Sequence, residues 1–412
     1  MGCISASQAL CRGLIMEYCT RSADKALELF GSVYGHSPDA GFCACGRTEL
    51  LGNHTDHQHG MVLASAVDLC TAARVSLNND GIIRIASDGF GLCSVDVSDL
   101  SARPQERGTT ASLVRGIAAG FADMGRSVGG FDAAVASDLL PGGGLSSSAA
   151  FEVLVAVIIN DLFNGSALDP VDIAKLSQRA ENDYFGKPCG LMDQMASALG
   201  GIISIDFSDA ADPKVERLDF DLHKSGYDLC IIDTRSSHAD LNSEYSSITA
   251  ELASVCSYFN KKYLREVPEA LFFDNISSVR SACGDRAVMR AMHVYAENSR
   301  VEAAVSALKS GDFRRYLELV NESGDSSCRL MQNVVPAGAV KEQSAAITLA
   351  VARSILGGRG ACRIHGGGFG GTIQAFVPSD VLQGFVSEME RICGAGICLN
   401  VRLGMPGGRR FE

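Results

Sequence analysis

The chain has 412 residues, 46% hydrophobic and 20% charged, with a formal net charge of −12. That length exceeds what one hydrophobic core commonly supports, so two or three folding units are expected, and the composition is not that of a disordered chain. The acidic balance argues against nucleic acid and anionic membrane surfaces as partners, because both are bound through clustered Lys and Arg.

From the N-terminus, MGCISASQALCRGLIMEYC lacks the apolar stretch of a secretory signal and puts Ala6 where a myristoylation motif requires Ser or Thr. Residues 22–36 have a helical period, with Ala26, Leu29, Phe30 and Val33 on one face. FCACGRTELL reads as a short strand, in which Cys43 and Cys45 are strand packing. Residues 61–77 are rich in β-branched types and precede an NNDG turn, so they read as strands, continued by IIRIASD and CSVDVSDL. A helix from Ser112 to about Met124 and a strand over 131–138 follow. Residues 148–162 form the most apolar helix: Phe151, Leu154, Val157, Ile158 and Leu162 share a side, and Val153, Val155 and Ile159 leave little polar face, which predicts an interior helix. A further helix is expected over 170–184.

GGIISIDFSDAADP then gives strand, turn and proline, and the domain boundary is placed there, dividing the chain into 1–205 and 206–412. Beyond it, strands at 228–233 and 363–377 alternate with helices near 243–264, 280–308, 312–325 and 337–356. The architecture reads as α+β in two halves. Fifteen cysteines without CxxC pairs predict reduced thiols and a cytoplasmic address. No apolar run is expected to span a membrane.

Three short stretches carry chemistry. The first, 52-GNHTDHQHG-60, holds three of the eight histidines around an aspartate. His54, His57 and His59 are ligand types for zinc, but a hydrolase metal site needs further ligands on later strands, in a context that this chain lacks. The second, 141-PGGGLSSSAA-150, directly precedes the apolar helix. Glycines let the backbone approach a ligand, and free N–H groups, the helix dipole and serine hydroxyls converge into an anion cradle. A plain turn with a serine N-cap would need one serine and no glycine triplet. The loop is not the common P-loop, which ends in Gly-Lys-Ser/Thr. The third, 363-RIHGGGFGGTIQAFV-377, matches GxGxxG loosely, but TIQAFV is a strand where the dinucleotide fingerprint requires a helix. It reads as a glycine loop between strands.

These stretches, in this order and spacing, resemble the GHMP kinases, and among them the galactokinases. CGLMDQMAS, EY at 244–245, HVYAENSR and GDFRRYLELVNES extend the resemblance over nearly the whole chain. It implies two α+β domains with the active site in the cleft between them, and ATP-dependent phosphorylation of the anomeric hydroxyl of galactose or a similar sugar. It also implies roles. Gly142, Gly143, Gly144, Leu145, Ser146, Ser147 and Ser148 would wrap the ATP phosphates. Ser148 and Glu181 would hold Mg²⁺, Asp193 would be the catalytic carboxylate, and Arg47 its electrostatic partner. Asn53, His54, Asp56, Gly190 and Tyr245 would contact the sugar, leaving His57 and His59 at the lip. Sugar and Mg-ATP are then the partners, with a monomer or weak oligomer expected.

The sequence also departs from that pattern. Asn53 stands where galactokinases usually carry Glu, Thr48-Glu49 replaces Val-Asn, and Cys45 replaces Pro. A neutral amide at 53 would tolerate a C6 carboxylate, and uronate-phosphorylating members share the loss of that Glu and the Asp-His-Gln at 56–58, so galacturonate is an alternative substrate. A non-catalytic sugar sensor is a further alternative; such proteins lose residues from the serine loop, which is intact here.

Overall fold

A computed structural model describes residues 6–139, 143–236 and 242–412. Helix α1 (Ala6–Tyr34) leads into β1 (Ala40–Leu51), β2 (Met61–Leu77), β3 (Ile82–Ser87), β4 (Gly91–Asp96), α2 (Thr110–Asp123) and β5 (Phe131–Ser137). Helices α3 (Ser147–Asn164), α4 (Pro170–Arg179) and α5 (Met192–Leu199) follow, then β6 (Ile202–Asp206) and β7 (Lys214–Leu218). After β8 (Tyr227–Asp233) come α6 (Asn242–Tyr258), α7 (Glu269–Asp274), α8 (Ile276–Cys283), α9 (Asp285–Ser310), α10 (Phe313–Ser326) and α11 (Ser344–Leu356). The chain closes with β9 (Ala361–Ile364), β10 (Thr372–Pro378), α12 (Leu382–Cys393), β11 (Cys398–Val401) and β12 (Arg409–Arg410).

The first sheet has the order β12-β1-β2-β5-β3-β4, with β6 beside the first part of β2 and β7 beyond it. The stretch 61–77 is one long strand: Met61–Ser65 pair with β6 and Thr71–Leu77 with β5. Both faces of β1 are covered. Phe42 and Ala44 enter the core made with α2–α5, while Cys43 and Cys45 pack with Cys19 and Ala23 of α1. Double coverage explains why FCACGRTELL shows no polar alternation, and the two cysteines are free and packed as expected.

The second sheet, β11-β8-β10-β9, is antiparallel and shares a core with α11 and α12. A separate core lies among α6, α8 and α9, including Leu252, Val279 and Val294. The halves also share apolar packing, in which Leu50, Leu51 and Leu63 meet Val301, Tyr316 and Phe376. The tail then returns, and β12 pairs with β1 at Phe42↔Arg410.

Several boundaries differ from the sequence reading, each for a local reason. The helix expected over 170–184 ends as α4 and continues as a π-helical turn, Ala180–Phe185. The 280–308 helix is split into α8 and α9 by Gly284, whose φ is +89°. α11 starts only at Ser344, because Pro336 and Gly338 hold the preceding segment in turns. By length and composition, α3 is apolar enough to cross a membrane, with a mean hydropathy of 1.4, which the sequence reading had not credited. In the fold it is a core helix, buried along most of Ala149–Asn160.

Candidate active site

The serine loop meets β1 at a bulge. Register breaks between Cys45 and Arg47, and the Arg47 N–H leaves the strand ladder to donate to the Leu145 carbonyl at 3.1 Å. A Cβ on Gly46 would stand 2.7 Å from that carbonyl, so the approach requires glycine. Gly144 and Ser146 adopt left-handed backbone, with φ of +76° and +55°, turning the chain sharply into α3. Ser146 occupies the N-cap position without capping; its hydroxyl donates to Asp193 Oδ2 instead. The first N–H groups of α3 have no intrahelical acceptor, and no N-cap side chain takes them up. They open beside Ser147 and Ser148 into a cleft of 280 Å³. Gly143 and Gly144 line the same cleft, Leu145 anchors the loop in the shared core, and Gly142 lies outside the described residues.

Arg47 and Asp193 are joined as a fork. Arg47 Nε donates to Asp193 Oδ1 at 2.7 Å and Nη2 to Oδ2 at 2.8 Å, while Nη1 donates to the Gly144 carbonyl at 2.6 Å. Burial works to raise the Asp193 pKa, but the Arg47 charge and hydrogen bonds, with Ser146 and Lys187, hold it below the ordinary carboxylate value. The guanidinium is buried, whereas the carboxylate keeps 31% of its side chain open. One residue thus fixes the serine loop and the carboxylate together.

The second glycine loop forms the opposite wall, between antiparallel neighbours β9 and β10 as the sequence suggested. His365 enters it buried, with Nδ1 3.0 Å from Thr372 Oγ1 and Nε2 3.0 Å from Thr48 Oγ1. The Glu49 N–H donates to Nε2, so Nδ1 carries the hydrogen. Burial, then the charges of Arg47 and Arg363, keep this imidazole neutral, with its pKa well below the ordinary value. His54 Nε2 reaches the Gly367 carbonyl at 3.0 Å, and burial, reinforced by His57, pushes its pKa down to about 3. Tyr245 donates to the Gly368 carbonyl at 2.9 Å and lies against Gly367, where a Cβ would meet its ring. Gly190 abuts Asp56 so closely that any Cβ would overlap Oδ2.

Asn53 differs from expectation. It is completely buried, and its amide is fully engaged by Gly366, Glu49, Asn333 and Ser327 instead of facing the cleft. The three histidines of the opening stretch diverge. His54 turns to the glycine loop, His57 is exposed, and His59 stacks on Tyr263 with ring centroids 3.5 Å apart. Among the described residues, no group of three or more His, Cys, Asp or Glu is arranged to hold a metal.

Beneath the serine loop, Glu181 on the π-helical turn accepts from Lys187 Nζ at 3.1 Å and from Gln194 Nε2 at 2.9 Å. Gln194 also donates to Glu152, one turn along α3 from Ser148. Burial, then the neighbouring Glu181, drives the Glu152 pKa well up. Glu152 Oε1 and Gln194 Oε1 have no hydrogen-bond donor. Glu181 and the Ser148 hydroxyl carry oxygen donors of the kind a hard divalent cation takes, and Lys187 pairs with that carboxylate.

These features coincide with known proteins. Residues 112–201 match the GHMP kinases N terminal domain, and residues 28–77 match the galactokinase galactose-binding signature. The chain is 33% identical over 387 residues to the galactokinase of Streptomyces coelicolor, covering 93% of this chain and 95% of that one. The chain belongs to the galactokinase family. Its fold superposes on Lactococcus lactis galactokinase complexed with galactose with a TM-score of 0.80, at 25% identity, covering 93% of this chain and 98% of that one. The fold is also that of Methanococcus jannaschii mevalonate kinase, with a TM-score of 0.61 at 14% identity over 88% of this chain and 98% of that one. As a family member it is a sugar 1-kinase, a phosphotransferase with an alcohol acceptor.

Four residues at or below this cleft escaped the sequence reading. Lys187 lines the cleft and brings an ammonium that the serine loop itself lacks; the only signal was its place between Gly186 and Gly190. His365 was signalled by standing directly before a glycine triplet. Asn333 gave no signal, because its partner Asn53 lies 280 residues away in sequence, and Gln194 was signalled only by its place beside Asp193 in CGLMDQMAS.

Proposed function

We propose that this chain transfers the γ-phosphoryl group of ATP to the anomeric hydroxyl of galactose. The Arg47–Asp193 fork carries the reading, because it touches both the phosphate loop and the open side of the cleft. Phosphoryl transfer is a matter of alignment and charge neutralisation. The N–H groups of α3 and the hydroxyls of Ser147 and Ser148 would receive phosphate oxygens, and Arg47 would neutralise charge on the moving group. Asp193 is ionised and, with both oxygens already hydrogen-bonded, is a weak base. Its part is to orient the acceptor hydroxyl and to take the proton late, as the bond to phosphorus forms. Ser148 and Glu181 would hold Mg²⁺, which would supply positive charge to offset that of the phosphates.

On the sugar side, Asp56 would accept from vicinal hydroxyls, held by the approach of Gly190. Neutral His54, with Nε2–H on Gly367, would offer Nδ1 as an acceptor. Galacturonate rested on a neutral amide at 53 and on Asp-His-Gln at 56–58, and the engaged, buried Asn53 gives the first of these no support. We place the domain division near residue 205, the free thiols among the described residues favour a cytoplasmic address, and a monomer or weak oligomer is proposed. The test is ADP release with Mg-ATP over a panel of hexoses, uronates and N-acetylhexosamines. Galactose is expected to lead, and preference for galacturonate at equal concentration would overturn the substrate assignment.

A further inference from the structure

Among the described residues lining the cleft, Lys187 is the charged one to which the proposed chemistry gives no task. It stands on a short bridge between the π-helical turn and α5, and the backbone of that bridge is held. The N–H groups of Gly186 and Lys187 both donate to the Glu181 carbonyl, at 2.9 and 3.1 Å, and the Cys189 N–H donates to Asn182 Oδ1 at 2.7 Å. Gly186 takes a left-handed φ of +87° and the ring of Pro188 fixes its own φ, so position 187 is set without help from the side chain. The Lys187 ammonium donates to Glu181 Oε1 at 3.1 Å. An ammonium has three N–H groups, and among the described residues Glu181 is its one hydrogen-bond acceptor, so two are open to a ligand.

The two ion pairs at the cleft are mounted in opposite senses. In the Arg47–Asp193 pair the cation is the buried member and the carboxylate the open one. In the Lys187–Glu181 pair the carboxylate is 4% exposed and the lysine side chain 63%. The first pair therefore shows its negative end to the cleft and the second its positive end. Lys187 shares the lining with Ser147, Ser148 and Asp193, and its charge is felt at Asp193. That puts it at the transfer end of the triphosphate, beside the carboxylate that faces the acceptor hydroxyl. We propose that Lys187 contacts the γ-phosphoryl group directly and is a further catalytic residue of this kinase. Arg47 has five N–H groups, and three are already taken by Asp193 and the Gly144 carbonyl, so a second cation supplies contacts that the fork cannot. In the transfer, the bond from the γ phosphorus to the β,γ-bridging oxygen breaks and the bond to the anomeric oxygen forms. The hydroxyl proton passes to Asp193. Lys187 exchanges no proton; as a compact point charge it offsets the negative charge on the phosphoryl oxygens.

The inference rests on the sugar-kinase reading, which wild-type turnover tests separately. Calorimetric titrations would measure ADP and the β,γ-methylene analogue of ATP on wild type, Lys187→Met, Lys187→Gln and Lys187→Arg. Each would be run with Mg²⁺ and again in EDTA, beside a thermal melt. The backbone anchors should keep Lys187→Met folded, and Lys187→Gln keeps a donor for Glu181 if they do not. Both variants are expected to weaken the triphosphate analogue about tenfold and ADP less than twofold, in either medium, because ADP lacks the group that the ammonium holds. In turnover, kcat is expected to fall about tenfold while the sugar KM stays within about twofold. Lys187→Arg, which keeps the charge, is expected to bind the analogue within about threefold of wild type. Equal weakening of the two nucleotides, which a mere brace on Glu181 would give, an effect seen only with Mg²⁺, or no weakening at all would overturn the assignment.

Discussion

Asp193 takes two hydrogen bonds from one guanidinium and a third from Ser146. A carboxylate so held has its pKa depressed, so it stays ionised as pH falls below neutrality. The kcat/KM profile is accordingly expected to be flat with respect to this group from about pH 5 to 8, and an acid limb inside that window would contradict its role. Asp193→Ala should lower kcat about 10²–10⁴-fold, because its removal deprives the acceptor hydroxyl of its partner, and should also lower the melting temperature, because the buried Arg47 guanidinium loses its counter-charge. Arg47→Lys tests the fork. An ammonium cannot bind both carboxylate oxygens and the Gly144 carbonyl in that geometry, so kcat should fall even though the charge is kept.

At the scale of elements, the site depends on backbone approaches that exclude side chains. Gly144 has positive φ and would drive a Cβ into Thr372 Oγ1 on the opposite wall. Gly144→Ala should therefore raise the ATP KM and lower kcat together, as both glycine loops are pushed apart. Gly190→Ala acts elsewhere: its Cβ would displace the Asp56 carboxylate, so the sugar KM should rise while the ATP KM holds. The pair of variants separates the phosphate wall from the sugar wall, and identical kinetic signatures would show that the walls are not independent. Ser146 makes the same point about α3. At an N-cap position its hydroxyl would ordinarily satisfy the helix, and here it serves the carboxylate.

Across the whole molecule, the shared core and buried histidines make stability depend on pH. His293 and His365 lie between the halves, almost without exposure, and burial pushes the first down to about 4 and the second well below its ordinary value. Below about pH 6.5 the unfolded chain takes up protons that the folded chain refuses, so stability falls as pH drops through that value. Each such histidine costs about 2 kcal/mol by pH 5. Thermal melts should show a lower Tm at pH 5 than at pH 7, with a smaller difference in His293→Gln. Equal Tm values at the two pH values would mean that these imidazoles are protonated in the fold. Glu297, pushed down to about 2 by Arg300, His293 and Arg363 against its burial, adds a second loss once pH falls below the ordinary glutamate range.

Much of this was legible in the sequence because it is local. The apolar face of 148–162, the turn chemistry around the glycine clusters and the order of the three motifs depend on residues near one another, and they announced the core helix, the glycine turns and the family. The pairing of Arg47 with Asp193 was anticipated, but its fork geometry and its hold on Gly144 were not. Asn53 shows the limit most clearly. Its place in a sugar motif suggested a ligand contact, whereas four partners, three of them more than 270 residues away, turned it inward. Sequence determined which segments would become strands, helices and loops, since dihedral preference and apolar period act over a few residues. Which polar groups meet across the cleft, and which way each amide and imidazole faces, was decided only when the halves packed, because a buried hydrogen-bonding group takes whatever partner the tertiary fold brings within reach.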